Sequence, residues 1–363
     1  MNMSLKMGII TAAGTGTEVT GVLKHLLTDV SRHLGIRTEF MEFGYTPKTF
    51  VQLSETPEEK SHVERKECAD LVDFCREAYS KGFHTIFQTA TNAGTLYQQR
   101  MHTEMLKIME ITPPTGKILL AREQSQGFYA MENKKETSER IEFKCSYTRE
   151  KLYRTFDAAI MEADRQFGDT DYPVRFVYKF HLFDQFLTWI TDYIDLRGLR
   201  QRDILVVQPD TGYDHLMRTF PRDPAAGNST KILYIVGNEI GDIMTEALPN
   251  HYGIGDKATM FGINISLDRE THGQVIYQTI HGSADDLAGQ NRMNPFSTIR
   301  AAAHILETRG GIGGIRAVFE KGLLSAVRRY HVTPDLGGDK TTTEVTEYIL
   351  EYVLGHDSGA YHH

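Results

Sequence analysis

Short apolar runs and longer amphipathic stretches alternate along this chain almost from end to end. That alternation narrows the fold more than any other feature. Residues 7–12 (MGIITA), 37–43, 84–89 (HTIFQT), 117–122 (KILLAR), 174–177, 203–208 (DILVVQ), 232–236 and 276–280 are short and mostly apolar, as buried strands require. Between them, apolar residues recur at helical spacing in 22–34 (VLKHLLTDVSRHL), 56–82, 149–167, the stretch from Lys179 through Ile194, one opening at 241–247, 296–306 (FSTIRAAAHIL) and 344–354. Strand and helix in repeated succession specify an α/β protein. Residues 95–110 read as a further helix, with Tyr97, Met101, Met105 and Ile108 on one stripe and Pro113-Pro114 beyond its end. Residues 132–146 are polar and read as a surface arm, and 252–262 as a Gly-rich loop.

Composition bounds the function classes. A chain of 363 residues has room for a substantial core in one large or two medium domains. A net charge of −8 with no strongly basic block argues against a nucleic-acid partner, and no apolar run reaches membrane-spanning length. The N-terminal MNMSLKMGIITAAG lacks the apolar core and cleavage site of a signal peptide. Cys68, Cys75 and Cys145 are too few for a disulfide framework, and Cys68 and Cys75 are spaced for one helix face. The expectation is a cytoplasmic enzyme or binding protein. Any anion site on so acidic a chain has to be built locally.

One loop stands out. Residues 281–295, HGSADDLAGQNRMNP, combine a His-Gly pair, two adjacent carboxylates (Asp285, Asp286), Gly289 and an Asn-Pro step into a helix. Such a loop either wraps a polar ligand with main-chain groups or simply leads into the helix. The stretch resembles the nucleotide-binding loop of the metal-dependent β-decarboxylating dehydrogenases, the isocitrate, isopropylmalate, homoisocitrate and tartrate/malate dehydrogenase family. Their pattern is His-Gly-Ser-Ala-Pro-Asp-Ile-Ala-Gly followed by Asn-Pro, and only Asp285 and Leu287 depart from its first nine positions. The resemblance implies that His281, Gly282, Ser283, Ala284, Asp286 and Asn294 contact the cofactor. Asp335, in TPDLGGDKTTTE, lies in a segment similar to the family's Asp-Leu-Gly-Gly. Near the N-terminus, Gly14, Gly16, Glu18 and Val19 match the family's glycine turn, with Ala13 in place of its Asp.

Four further sites follow. Arg122 and Tyr129 in REQSQGFY are a guanidinium and a phenol, a pairing that suits acid catalysis, or a surface Arg and a core Tyr. The family has Arg-Glu-x-x-x-x-x-Tyr, which implies that Arg122 grips a substrate carboxylate and Tyr129 protonates the carbon that CO2 leaves. Lys179 ends an apolar run in VRFVYKFH; it is either a surface lysine or, partly buried, a base. The family's Val-x-Lys-x-Asn implies that it takes the substrate's hydroxyl proton, with His181 in place of Asn. Asp242 and Glu246 in GDIMTE sit one helical turn apart, and Asp210 in QPDT follows an apolar run. Hard oxygen ligands suit Mg2+ or Mn2+, and the resemblance makes these three the metal ligands, with Glu246 one methylene longer than the family's Asp. Arg100 and His102 stand near the family's first substrate arginine, and Thr112 stands at its second. Leu96 and Gln98, with Tyr97 and Gln99, would meet the substrate's third substituent.

The fold implied is an isopropylmalate dehydrogenase-like α/β fold of two domains, with a mixed sheet and a discontinuous first domain. Residues 1–108 and 257–363 are expected to bind the cofactor, and 109–256 to carry dimerisation, substrate and metal. The activity implied is NAD- and divalent-metal-dependent oxidative decarboxylation of a (2R)-hydroxy-3-carboxy acid. Asp286 favours NAD over NADP, because a carboxylate repels a 2′-phosphate. A homodimer with shared sites is expected, with Lys179 and Asp210 reaching the neighbour's site. Thr112 points away from isocitrate and isopropylmalate and towards a malate-type acid with a specialised polar substituent. The alternatives are one of those two dehydrogenases proper, or a non-catalytic regulatory subunit of a heteromeric member.

Overall fold

A computed structural model of the chain describes residues 4–55, 57–113, 115–130, 132–219, 230–252 and 260–355. In chain order the elements are β1 (Ser4–Ile10), α1 (Gly16–His33), β2 (Arg37–Glu42), α2 (Phe50–Ser54), α3 (Pro57–Ser80), β3 (Thr85–Gln88), α4 (Ala93–His102), β4 (Met105–Ile111), β5 (Gly116–Glu123), β6 (Glu132–Glu136), β7 (Ile141–Lys144), α5 (Arg149–Phe167), β8 (Val174–Val177), α6 (Asp184–Leu196), β9 (Ile204–Val207), α7 (Pro209–Thr219), β10 (Thr230–Val236), α8 (Asn238–Tyr252), β11 (Phe261–Ser266), β12 (Val275–Thr279), α9 (Phe296–Thr308), α10 (Ile315–Arg328) and α11 (Thr342–Leu354). The fold is the mixed α/β arrangement expected. The chain divides into two compact units: Met1–Gln99 with Lys257–Ile263 and Gly273–His363, and Arg100–Asp256 with Asn264–His272. Residues 100–108 and 264–272 thus belong to the second unit, not the first. Most of 252–262 lies outside the described residues.

In the first unit, β1 pairs in parallel with β2 and β3, and β3 in parallel with β12. Parallel pairs need crossovers, and α1 and α3 provide them. Helix α1 buries Val19, Leu23, Leu26, Leu27 and Val30, spaced for one stripe. Each of its fully buried leucines contributes about 1.5–3 kcal/mol. Cys68 and Cys75 share the buried face of α3, as their spacing predicts. Thr341 and Glu344 form a capping box that starts α11.

The second unit is mixed. β4 runs antiparallel to β5, and β5, β10, β8 and β9 follow in parallel order. One face of the β4–β5 pair carries Leu106, Ile108, Leu119 and Ala121 into a core closed by Leu152, Phe156, Ala159 and Ile160 of α5. The other face carries Lys107, Met109, Leu120 and Arg122.

The sequence expectation fails at 95–110. The helix there ends at His102, the chain turns at Glu104 with φ 44°, and Met105–Ile111 is a strand. Met105 and Ile108 fit a helical stripe, but antiparallel pairing with β5 overrides it. The polar arm at 132–146 is in fact the two-stranded ribbon β6–β7.

Candidate active site

Arg122 closes β5, and its side chain passes under the first turn of α8. That passage needs Gly241, because a Cβ there would lie 2.6 Å from Arg122 Cγ and 2.8 Å from Val236 Cγ2. The guanidinium is almost fully buried. Its Nε donates to Asn238 Oδ1 at 2.9 Å, and Nη1 donates to Asp242 Oδ1. Nη2 is buried with no acceptor among the described residues. An unpaired buried guanidinium nitrogen is costly, and an anionic acceptor is the kind of partner that would satisfy it.

Tyr129 completes the arrangement. Its hydroxyl donates to Asp242 Oδ2 at 3.0 Å, and its ring centroid lies 5.5 Å from the Arg122 guanidinium carbon. A short 3-10 turn, Phe128–Ala130, holds the phenol there. Glu239 Oε1 accepts the Phe128 amide at 3.1 Å and so ties this turn to the start of α8. Burial pushes the Asp242 carboxyl up, but Arg122, the Tyr129 hydroxyl and Lys107 outweigh it and hold the group below its ordinary value. Asp242 is therefore a carboxylate at neutral pH.

The remaining candidates of this unit are dispersed. Glu246 is half-buried one turn beyond Asp242 on α8, and Asp210 is exposed in the first turn of α7. Among the described residues no three His, Cys, Asp or Glu side chains gather into a metal-holding group, so Asp210 does not join the other two within one chain. Lys179 is exposed beyond β8, not partly buried, at the edge of a cavity of about 530 Å³ lined by Tyr147, Tyr178, Phe186, Trp189 and Glu239. Arg100 is buried at the end of α4, while His102 and Thr112 are exposed.

The first unit presents the cofactor candidates. Ser283 is locked: its carbonyl accepts the Thr15 amide at 2.9 Å and the Thr15 hydroxyl at 3.0 Å, and its own hydroxyl donates to Asp285 at 2.5 Å. Gly14, at φ +69°, permits this contact, since a Cβ would lie 2.5 Å from the Ser283 carbonyl oxygen. Asp285 also accepts the Thr49 hydroxyl at 2.7 Å, so it anchors the loop inward. Asp286 is exposed, and Ala284 has the left-handed φ of 43°. His281 Nδ1 lies 2.9 Å from the Gly282 carbonyl oxygen, while Nε2 is buried without a partner among the described residues. Burial holds the His281 imidazole below its ordinary pKa despite that hydrogen bond. Asn294 is buried and engaged: it donates to Asp335 at 2.7 Å and accepts the Phe296 amide at 3.0 Å. On α4, Leu96, Tyr97 and Gln98 are half-exposed, but Gln99 is fully buried and accepts from Gln88.

Three contributors escape a reading of the sequence: Asn238, Glu239 and Lys107. The first two adjoin the Gly-Asp motif at 241–242 and have no spacing rule of their own. Lys107 was hidden by assigning its segment to a helix; strand alternation in MLKIMEI would have set it on one face with Met105 and Met109.

A chain whose strand end carries a buried arginine on an ionised Asp and a phenol, with a separate His-Gly-Ser-Ala loop, has the makings of a substrate-gripping α/β enzyme. The sequence profile of the isocitrate/isopropylmalate dehydrogenase family matches residues 94–349, and the chain belongs to that family, whose members are decarboxylating dehydrogenases. The chain is similar to the 3-isopropylmalate dehydrogenase of Bacillus thuringiensis subsp. konkukian, at 25% identity over 236 residues, 64% of this chain and 61% of that protein. It is similar to the isocitrate/homoisocitrate dehydrogenase of Pyrococcus horikoshii, at 29% identity over 238 residues, 65% of this chain and 62% of that protein. These matches span less than two thirds of the relatives' length. Among solved structures, the isocitrate dehydrogenase from Methylococcus capsulatus superposes with a TM-score of 0.65 at 17% identity, covering 96% of this chain and 99% of that one. The apo β-decarboxylating dehydrogenase from Thermococcus kodakarensis gives 0.65 at 20% identity, covering 96% of each. Both share the fold. Among the described residues no helix is long and apolar enough to cross a membrane.

Proposed function

We propose that the protein catalyses NAD- and divalent-metal-dependent oxidative decarboxylation of a (2R)-hydroxy-3-carboxy acid. The observation that carries this reading is the Arg122–Asp242–Tyr129 cluster, with Nη2 of Arg122 buried and without an acceptor among the described residues. Arg122 would hold a substrate carboxylate through that nitrogen. Tyr129, already donating its proton towards a carboxylate, would give it to the carbon that loses CO2. Lys179 would take the hydroxyl proton as the carbinol is oxidised.

The residues fit both the metal and the cofactor. Asp242 and Glu246 offer hard oxygen donors from one face of α8, suited to Mg2+ or Mn2+, with Asp210 as a third donor from a second copy. A divalent ion there would supply Lewis-acid charge to the substrate's oxygens, and NAD would accept the hydride. In the first unit, the buried Nε2 of His281, unpartnered among the described residues, and the exposed carboxylate of Asp286 suit hydrogen bonding to NAD.

The substrate we infer is malate-type with a polar third substituent, because Tyr97 and Gln98 offer a phenol and an amide beside Leu96. The test is NADH formation with Mn2+ across a panel of 2-hydroxy-3-carboxy acids that includes isocitrate and isopropylmalate. Efficiency of about 10⁵ M⁻¹s⁻¹ with either of those two would overturn the substrate inference, and no turnover with any acid would overturn the enzyme reading. Shared sites have their own test. Lys179→Met and Asp242→Asn should each be nearly inactive, and mixing them through dissociation and reassociation should restore activity in one of the two heterodimer sites.

A further inference from the structure

Three consecutive residues lead into Tyr129, and each is fastened to another part of the second unit. Gln126 is buried, and its Oε1 accepts the Thr148 amide at 2.7 Å and the Thr148 hydroxyl at 3.2 Å. The Gly127 amide donates to the Ser146 carbonyl oxygen at 3.4 Å. The Phe128 amide donates to Glu239 Oε1 at 3.1 Å, and the Phe128 ring packs edge-on to Phe143 of β7, with 4.9 Å between centroids. The segment that returns from β7 to α5 therefore backs the turn that carries the phenol.

Tyr147 is the centre of that backing. Its hydroxyl donates to the Glu239 carboxylate, and burial, with Glu239 adding to it, pushes the phenol well above its ordinary value, so the donor proton is kept. The same hydroxyl abuts Gly127, where φ is +82° and a Cβ would overlap the Tyr147 oxygen. Glycine is required there twice, by backbone conformation and by space. The Tyr147 ring is set edge-on against the buried Phe186 of α6, with 4.9 Å between centroids. Tyr147 is thus fixed from behind, and it fixes in turn the carboxylate that holds the Phe128 amide.

We infer that Tyr147 is a positioning residue for Tyr129: through Glu239 and Gly127 it fixes the 126–128 segment, and with it the place of the adjacent phenol. This rests on the proposed function for the role of the phenol as an acid, whereas the contacts themselves are independent of it. An acid acts only within hydrogen-bond reach of the atom it protonates. Tyr129 sits on a three-residue turn, so its precision depends on what supports that turn. Loss of the support should therefore appear in turnover rather than in substrate affinity.

A fluorine label reads the position without any ligand. 3-Fluorotyrosine is placed at position 129 of the full chain, and its 19F resonance is recorded in wild type, Tyr147→Phe, Glu239→Leu and Glu239→Gln. Tyr147→Phe keeps the ring on Phe186 and removes only the hydroxyl. It and Glu239→Leu should both move the resonance towards that of free 3-fluorotyrosine, while Glu239→Gln, which keeps an acceptor oxygen, should stay near wild type. Circular dichroism identifies a variant that has not folded; if that is Tyr147→Phe, Glu239→Leu alone decides. An unmoved resonance in the folded variant overturns the inference. Turnover is then measured with the acid of the panel above that gives the highest wild-type rate. Tyr147→Phe should lower kcat about 10- to 100-fold and leave KM within about threefold. In a Tyr129→Phe background the same change should cost less than about twofold, because its route is already cut. Equal losses in the two backgrounds overturn the inference, as does a kcat within about twofold of wild type. No turnover of any acid by the wild type would count against the proposed function instead, and the fluorine result then decides the positioning by itself.

Discussion

Two regions of this molecule each set a pair of acidic residues close together, and they are built in opposite ways. In the 281–295 loop, Asp285 is drawn inward by Ser283 and Thr49 while its neighbour Asp286 stands exposed. The whole motif is contiguous, with Thr15 and Thr49 as outside supports. On α8, Asp242 is held by Arg122 and Tyr129, each more than a hundred residues away in sequence. A contiguous loop can be altered at one position and keep its neighbours. A cluster drawn from β4, β5, a 3-10 turn and α8 has no such independence, since every partner is fixed by a different element.

The largest expected effect breaks the cluster chemically without disturbing its packing. Tyr129→Phe keeps the ring against Arg122 and removes only the hydroxyl. Efficiency in the NADH assay should fall about 10²- to 10⁴-fold, the usual range for a lost acid. Stability should change by only about 0.5–1.5 kcal/mol, the scale of one hydrogen bond. A loss of activity below tenfold would assign the phenol to structure alone.

Glycine substitutions sharpen the contrast at the level of stability. Gly241→Ala forces a Cβ into Arg122 and Val236, and overpacking of that kind costs about 1–3 kcal/mol. Gly282→Ala meets nothing within 4 Å among the described residues and should stay within about 0.5 kcal/mol. Thermal melts of the two variants decide it; equal losses would remove the distinction between cluster and loop.

The cofactor prediction concerns the exposed half of the loop's acidic pair. NAD should be preferred over NADP by at least about tenfold in efficiency, equivalent to about 1.4 kcal/mol. Asp286→Ala should narrow that ratio, whereas Asp285→Ala should instead loosen the loop, because Asp285 is the anchor. Equal efficiency with both cofactors in the wild type would detach Asp286 from cofactor choice.

The same contrast governs what the sequence made legible. The alternation of strands and helices and the α/β class are plain from residue pattern, and the loop could be matched because its residues are consecutive. Arg122, Tyr129 and Asp242 were legible as short motifs, but their hydrogen bonds to one another were not. Lys107 was lost for a specific reason: Tyr97, Met101, Met105 and Ile108 satisfy a helical stripe, so a strand was read as the end of a helix. Pairing with β5 is a long-range event that local periodicity does not contain. Gln99 was misread similarly, as a group facing substrate, although it is buried against Gln88.

The smallest effect expected separates the regions by pH. Burial holds His281 below its ordinary pKa, so the unfolded chain takes up the proton first as pH falls. Its contribution is full above the unfolded value of about 6.5 and is lost progressively beneath it. Asp242 is also lowered, but from a carboxylate's starting point. Its contribution is full above about 3.9 and is lost only as pH drops below that, through the folded value. Between pH 7 and 5 the loop should therefore loosen while the cluster does not. A global melt would blend the two, because His215, hydrogen-bonded to Tyr234 in the second unit, is lowered by burial in the same sense. Hydrogen exchange read on separate peptides resolves them. Protection in 281–295 should decline over that window after correction for intrinsic rates, protection in 238–246 should hold, and His281→Asn should flatten the first profile. If both peptides lose protection in parallel, or neither does, His281 is not the group that sets the loop's stability.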